Sequence, residues 1–286
     1  MEPIPTLARR LWEAIEPIHA IVYFAPGPAD AARRTGLRGF WMGYFACRVA
    51  PLGPVPPEAV AAMAYGFAPA MVERAIPDAW SFADPAAIVD ARITSAAQAL
   101  RHHLSQPAIA GLAELSGLLW EAVAGCRFDG RPLAAAWSRV PRPPDTAAAA
   151  WLAATILREH RGDGHVLAAV GAGLRGIDAT LTHVATGAIT REIIQPTRGW
   201  GDDDWEQSRR RLQARGLLDR DGRLTKTGGA LRRGVEDLTD RLAAGPVERL
   251  GEVGVNRAID LAAPVSRHLI DSGVIPVPNP IGAPRP

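Results

Sequence analysis

The chain has 286 residues, 48% of them hydrophobic and 22% charged, and a formal net charge of +2. That suffices for two ordinary domain cores but not for the strong basic field that pulls in a polyanion. No apolar run reaches the ~18–20 residues needed to span a bilayer. The opening MEPIPTLARRLWEAI lacks a signal-peptide core, and Cys47 and Cys126 have neither metal nor disulfide-framework spacing. A cytoplasmic protein without membrane association is expected.

Leu7, Leu11, Ile15 and Ile18 recur at helical spacing and predict a helix over 6–19. A loop is expected through Tyr23 to Pro28, then a short helix over 29–35 and a buried aromatic helix over 39–49 holding Phe40, Trp41, Tyr44 and Phe45. Further helices are expected over 57–64, 68–76, 85–104 and 109–124. The proline-rich 138–145 (SRVPRPPD) reads as a linker between a domain 1–140 and a domain 141–286. In the second part, helices over 146–159 and 166–172 flank a glycine turn in EHRGDGHV, with helices over 176–185 and 190–195 beyond it. Asp202 can cap a helix to 215. The Asp221-Gly222 pair then suggests a hairpin over 217–225, and Leu231, Val235, Leu238 and Leu242 mark a long helix. Extended C-terminal helices come next, and five prolines make the last eleven residues irregular.

GLRG occurs at 36–39 and again at 173–176. His19 and His165 precede the two copies, and Gly53/Glu58 and Gly187/Glu192 come after them. Shared landmarks in one order point to a tandem duplication. The expected fold is mainly α, with tandem winged-helix-like repeats carrying small β-hairpin wings.

The segment Ala214–Leu231, ARGLLDRDGRLTKTGGAL, resembles the wing of MarR-type regulators. Over most of its length the chain is similar to an actinobacterial helix-turn-helix family sometimes labelled SalK-like. The resemblance is carried by ARRLWEAIEPIHAIVYFAP, GLRGFWMGYFACRVAPLG, ERAIPDAW, LREHRGDGHV and RGLL-x-x-DG-x-LT. It implies a helix-turn-helix fold and, through the MarR-like wing, transcription regulation. Shape does not fix function.

Against DNA stands the acidic start of the second recognition-type helix, Asp202-Asp203-Asp204-Trp205-Glu206. Residues 200–242 carry ten basic and nine acidic groups, no concentrated basic footprint. Arg158, His160, Arg161, Asp163 and His165 crowd around two glycines and suit an anion and proton transfer. With His19 as the repeat partner of His165, a cleft is expected between the repeats, lined by Glu16, His19, Tyr23, Trp41 and Tyr44 on one side and this cluster on the other. His165, His160, Asp163 and His19 are the candidate catalytic groups. Arg158, Arg161, Tyr23, Trp41 and Tyr44 complete the candidate ligand-binding set.

His160, Asp163 and His165 could also be read as two histidines and a carboxylate around a metal, but flanking arginines oppose that, and no metal or cofactor is expected. Gly171 to Gly176 matches GxGxxG without the strand that dinucleotide binding needs. The favoured function is binding of a polar or anionic small molecule. The alternatives are a MarR-like regulator and a cofactor-free acid–base enzyme of specialised metabolism, catalysing elimination, cyclisation or isomerisation. A homo-oligomer stays open.

Overall fold

The computed structural model describes residues 2–286. Fifteen α-helices succeed one another among them: α1 (Ile4–Phe24), α2 (Pro26–Arg34), α3 (Gly39–Val49), α4 (Pro57–Met63), α5 (Pro69–Glu73), α6 (Ala79–Phe82), α7 (Pro85–His103), α8 (Gln106–Val123), α9 (Pro132–Ser138), α10 (Thr146–Gly171), α11 (Gly176–Val184), α12 (Arg191–Arg198), α13 (Asp202–Ala214), α14 (Lys226–Leu242) and α15 (Ala244–Asp271). Proline opens α2, α4, α5, α7 and α9, where its missing N–H costs nothing and its fixed φ is already helical. The prolines expected to form a loop after Tyr23 therefore begin α2 instead. Asp84, Asp145 and Thr225 cap α7, α10 and α14 with side-chain oxygens. Helix α15 bends at Gly251, whose φ is 71°.

The expected glycine turn in EHRGDGHV does not exist. Helix α10 runs unbroken for 26 residues through Gly162 and Gly164. Its first half, TAAAAWLAATIL, has high intrinsic helicity, so the helix is already propagating when it meets the glycines. Tertiary packing then offsets their cost of about 1 kcal/mol each. Gly164 has a reason to be glycine: a Cβ there would sit 3.3 Å from both Arg131 Nη1 and Leu242 Cβ.

Buried apolar residues form two clusters. The larger takes its members from α1, α3, α7, α8, the first half of α10, and α15, with Trp137 and Trp151 among the fully enclosed side chains. The smaller comprises Ala168, Ala169, Leu174, Ile177, Leu181, Ile194, Trp205, Leu212, Leu217, Leu218 and Val235, among others. The boundary between them crosses α10, and residues after 243 return to the larger cluster.

Two matched repeats are not what this packing builds. Gly36 and Gly173 both turn corners with positive φ, so the GLRG copies share a local role. Beyond α3, the first copy leads to three helices of seven, five and four residues. Beyond α11, the second leads to an eight- and a thirteen-residue helix and a tight turn. The expected hairpin wing shrinks to that turn. A single bridge pairs Leu218 with Leu224, and no strand forms among the described residues. Asp219 Oδ1 accepts from the N–H groups of Asp221 and Arg223, both at 2.9 Å. Thr225 is already committed to capping α14, so no residues remain to lengthen a ladder.

Two glycine substitutions test this description. Gly162→Ala places a methyl in a helix interior, with only Glu159 Oε2 nearby at 3.7 Å, and should stabilise the protein by ~0.5–1 kcal/mol. Gly176→Ala should destabilise by at least ~1–3 kcal/mol, because its Cβ would overlap the Tyr65 carbonyl. Urea denaturation monitored by circular dichroism reads both; a destabilised Gly162→Ala would contradict the unbroken helix.

Candidate functional site

Where the two apolar clusters part, neither covers the middle of α10. A cavity of about 1060 Å³ opens there between α1, α3, α10, α11, α12 and α14. Arg158, Arg161, Gly162 and His165 recur three and four residues apart on α10 and face it together. Eight arginines line the cavity against four carboxylates, Glu16, Glu236, Asp237 and Asp240. Trp12, Tyr44, Tyr65 and Phe67 add aromatic wall.

On the side of α1 and α3, Glu159 is fully buried and held by two arginines. Arg48 grips it bidentately, Nε at 3.0 Å and Nη2 at 2.9 Å, and Arg158 Nη1 donates from 3.1 Å. Burial opposes its ionisation, but the two guanidinium charges prevail and hold the carboxyl well below the usual range. Arg158 also reaches Glu16 at 3.4 Å, which accepts from Trp12 Nε1 at 3.0 Å. There burial outweighs Arg158, and the Glu16 carboxyl is pushed up.

On the side of α14, charges alternate in a ladder. Asp240 lies 2.7 Å from Arg161 and 2.6 Å from Arg9, and Glu236 lies 2.6 Å from Arg232. The Arg161 guanidinium rests 4.8 Å above the Trp12 ring. Thr239 Oγ1 donates to the Val235 carbonyl at 2.7 Å and faces His165 Nδ1 at 3.0 Å. With its proton so committed, Thr239 must accept from Nδ1–H, which leaves His165 Nε2 a bare acceptor.

Two cations in the wall keep open capacity. Arg232 Nη1 is buried without a hydrogen-bond partner. Arg198, the last residue of α12, stacks 4.3 Å over Phe67 and donates to the Pro280 carbonyl at 2.7 Å. Among the described residues no carboxylate stands within ion-pair reach of Arg198.

The expected site residues divide. Glu16, Tyr44, Arg158, Arg161 and His165 line the cavity. His19 does not: it is wholly buried, with Nδ1 3.0 Å from Thr155 Oγ1, Nε2 3.2 Å from the Tyr23 hydroxyl, and its ring stacked on Trp151. Thr155 and His165 are ten residues apart on α10, about 15 Å of helix, so the two histidines do not share a cleft. Trp41 packs edge-on against Tyr44 and Phe67 in an aromatic cluster, and Tyr23 belongs to a second, smaller cavity.

His160 and Asp163 point to the opposite face of α10. Asp163 Oδ2 accepts from the Ala134 N–H at 3.0 Å and so caps the first turn of α9. Arg131 donates to the His160 carbonyl at 2.7 Å. His160, Asp163 and His165 therefore cannot converge on a metal. GxGxxG at 171–176 lies between two helices, without the strand that its dinucleotide role requires.

Several lining groups escaped the sequence reading: Arg9, Arg48, His183, Arg198, Arg232, Glu236 and Asp240. The i, i+4, i+8 spacing of Arg232, Glu236 and Asp240 was a usable signal of one charged helix face. Nothing local marks Arg48 or Arg198.

Helices α12 and α13 meet at a tight corner over 199–201. Gly199 takes φ 73° with Met71 against it, and a Cβ there would come within 2.8 Å of the Met71 sulfur. Trp200 Nε1 donates to the Gly66 carbonyl at 2.9 Å, and the Ala68 N–H donates to the Arg198 carbonyl at 2.8 Å. At the start of α13, Asp202, Asp203 and Asp204 are exposed. Arg209 and Arg210 are paired with Glu206, and Arg211 with Asp178.

Buried imidazoles set the pH dependence. Burial holds His19, His160, His165 and His183 below the ordinary range, His160 and His165 at about 4. An unfolded chain protonates these groups near 6.5, so stability is present above that pH and is lost as pH falls toward 4. Asp163, raised by burial to about 6, pulls the other way between 3.8 and 6, as does the raised Glu16. Four histidines outnumber two carboxyls. The melting midpoint should therefore drop between pH 7 and pH 5, with a shallower slope in His160→Gln; a midpoint indifferent to pH would contradict the burial of these rings.

No curated protein and no solved structure matches the chain, and among the described residues no helix is long and apolar enough to cross a membrane. A family model described as "Helix-turn-helix family" matches residues 8–276, nearly the whole length. The chain belongs to this helix-turn-helix family, and its mainly helical architecture agrees.

Proposed function

We propose that this helix-turn-helix protein binds an anionic small molecule in the cavity on α10. The observation that carries this reading is the pair of cations with open capacity, Arg198 and Arg232, in a wall of eight arginines and four carboxylates. Arg232 is paired with Glu236 and has only Nη1 unfilled. Arg198 is a partly buried charge with no carboxylate in reach, which is unfavourable, and a ligand carboxylate or phosphate would remove that cost. The cavity has the size of a metabolite site. Its aromatic wall, Trp12, Tyr44 and Phe67, suits a ligand with a flat apolar body. His165, with a bare Nε2, would accept a hydrogen bond from a ligand hydroxyl.

A second reading is regulation through DNA, favoured by the family match. In the segment 214–231, α13 ends, the chain makes a tight turn and Thr225 caps the next helix, an order that supports the MarR-like form of that reading. The exposed aspartates leading α13, and the local pairing of Arg209, Arg210 and Arg211, weigh against tight binding.

Native mass spectrometry of the purified protein should detect a retained anion on the order of hundreds of daltons. Arg198→Met and Arg232→Met should each weaken its binding ~10–100-fold, the value of a charge-assisted hydrogen bond. Full retention in both variants, or an empty wild-type protein that binds no member of a carboxylate and phosphate-monoester panel in calorimetry, would sink the ligand reading. In an electrophoretic shift assay, duplex DNA should be bound weakly and released by ~200 mM salt; tight, sequence-selective retention would favour the regulator instead.

A further inference from the structure

A second, smaller cavity of about 70 Å³ lies between α1, α2, α3 and α7. One wall is Arg92 of α7, a side chain only 6% exposed. A guanidinium stays charged in any protein environment, so a full positive charge is enclosed there. Among the described residues no carboxylate stands within ion-pair reach of it. Its contacts are neutral. Nη2 donates to the Tyr23 hydroxyl at 3.2 Å, the group lies 5.2 Å from the Tyr23 ring and 5.7 Å from the Trp151 ring, and the Cys47 thiol is a hydrogen-bond neighbour. Nε has no partner at all.

The rest of the wall is also electropositive. Gly39 and Phe40 begin α3, an eleven-residue helix, and Pro28 and Ala29 lie in the first turns of α2, a nine-residue helix. Neither helix has a side-chain cap. Pro26 and Pro28 have no N–H to offer, so the free N–H groups here are those of Gly39 and Phe40 at the start of α3, with the positive dipole end of α2 beside them. Against this, the last turn of α1 at Val22 and Tyr23 offers a partial negative charge of about half a unit. A net positive charge is left beside this space, which opens to solvent at Gly39 and Phe40. That space holds about two waters at ~30 Å³ each, which is room for one small ion and not for a metabolite.

We propose that this cavity is a binding site for a monovalent anion of halide size, held by the Arg92 guanidinium beside the start of α3. The site is independent of the large cavity, although Tyr44 lines both. The anion would hold Arg92 where its Nη2 orients the Tyr23 hydroxyl toward His19 Nε2.

Bromide is the probe. Crystals grown in sodium bromide should give an anomalous difference peak within hydrogen-bond reach of the Arg92 guanidinium. At constant ionic strength, replacing sodium gluconate, too large for the cavity, by sodium bromide should raise the melting midpoint. Each tenfold rise above the dissociation constant should add about 2–4 °C, and Arg92→Met should lose this increment. Absence of a peak at Arg92, or a bromide increment that persists in Arg92→Met, overturns the proposal. The anomalous map of the wild-type protein decides the question alone if the variant does not fold.

Discussion

The continuity of α10 is the constraint on which the rest of the molecule depends. Its 26 residues cover about 39 Å, from the larger apolar cluster into the smaller. A helix that long presents a fixed sequence of faces. From Ala147 to Leu157 nearly every face is apolar and enclosed. From Arg158 to His165 one face turns charged while the opposite one still packs against α9 through Asp163. The cavity opens where apolar packing can no longer close over the charged face, and the carboxylates of α1 and α14 are drawn there by the arginines.

Paired and open cations play different parts in that arrangement. Arg48 and Arg158 are committed to Glu159, and Arg161 to Asp240. Buried pairs of this kind add little net stability, since desolvation cancels much of their attraction, yet losing one partner strands a charge and is costly. Their effect is to fix the walls of the cavity before any ligand arrives, which lowers the entropy lost on binding. Arg198 and the free Nη1 of Arg232 are the groups left to answer a ligand.

Much of the helical framework could be read from the chain. The spacing of Phe40, Trp41, Tyr44 and Phe45 marks α3 with the bounds observed. Helix α13 does begin at Asp202, but Gly201 is its N-cap and the Asp202 carboxylate accepts from Gln195 instead of capping the helix. The reading failed at Gly162 and Gly164 because glycine propensity is local, while α10 is held by packing against α1, α9 and α14. That one error hid the site's geometry. Read as helix, Arg158, Arg161 and His165 fall on one face and His160 and Asp163 on another, separating ligand wall from scaffold. The hairpin failed for a different reason: Asp-Gly specifies the turn but not the strands beyond it, and Asp219 and Thr225 spend their hydrogen bonds locally. The burial of His19 and the place of Arg198 were illegible, since Thr155 and Trp151 around His19, and Phe67 and Pro280 around Arg198, are more than 60 positions away.

Arg198 also ties the cavity to the α12–α13 corner. Its backbone carbonyl accepts from Ala68, its guanidinium lies on Phe67 and reaches Pro280, and Gly199 directly after it turns the chain toward α13 against Met71. On the proposed reading, an anion competes with the Pro280 carbonyl for the same guanidinium. Any preference of the ligand for one position of that side chain becomes a preference for one position of the corner, because interfaces this closely packed move as units. The size of such coupling is bounded by the difference in ligand affinity between the two positions. A charged group whose partners are all neutral, placed where two helices join, is a physically adequate means of creating that difference.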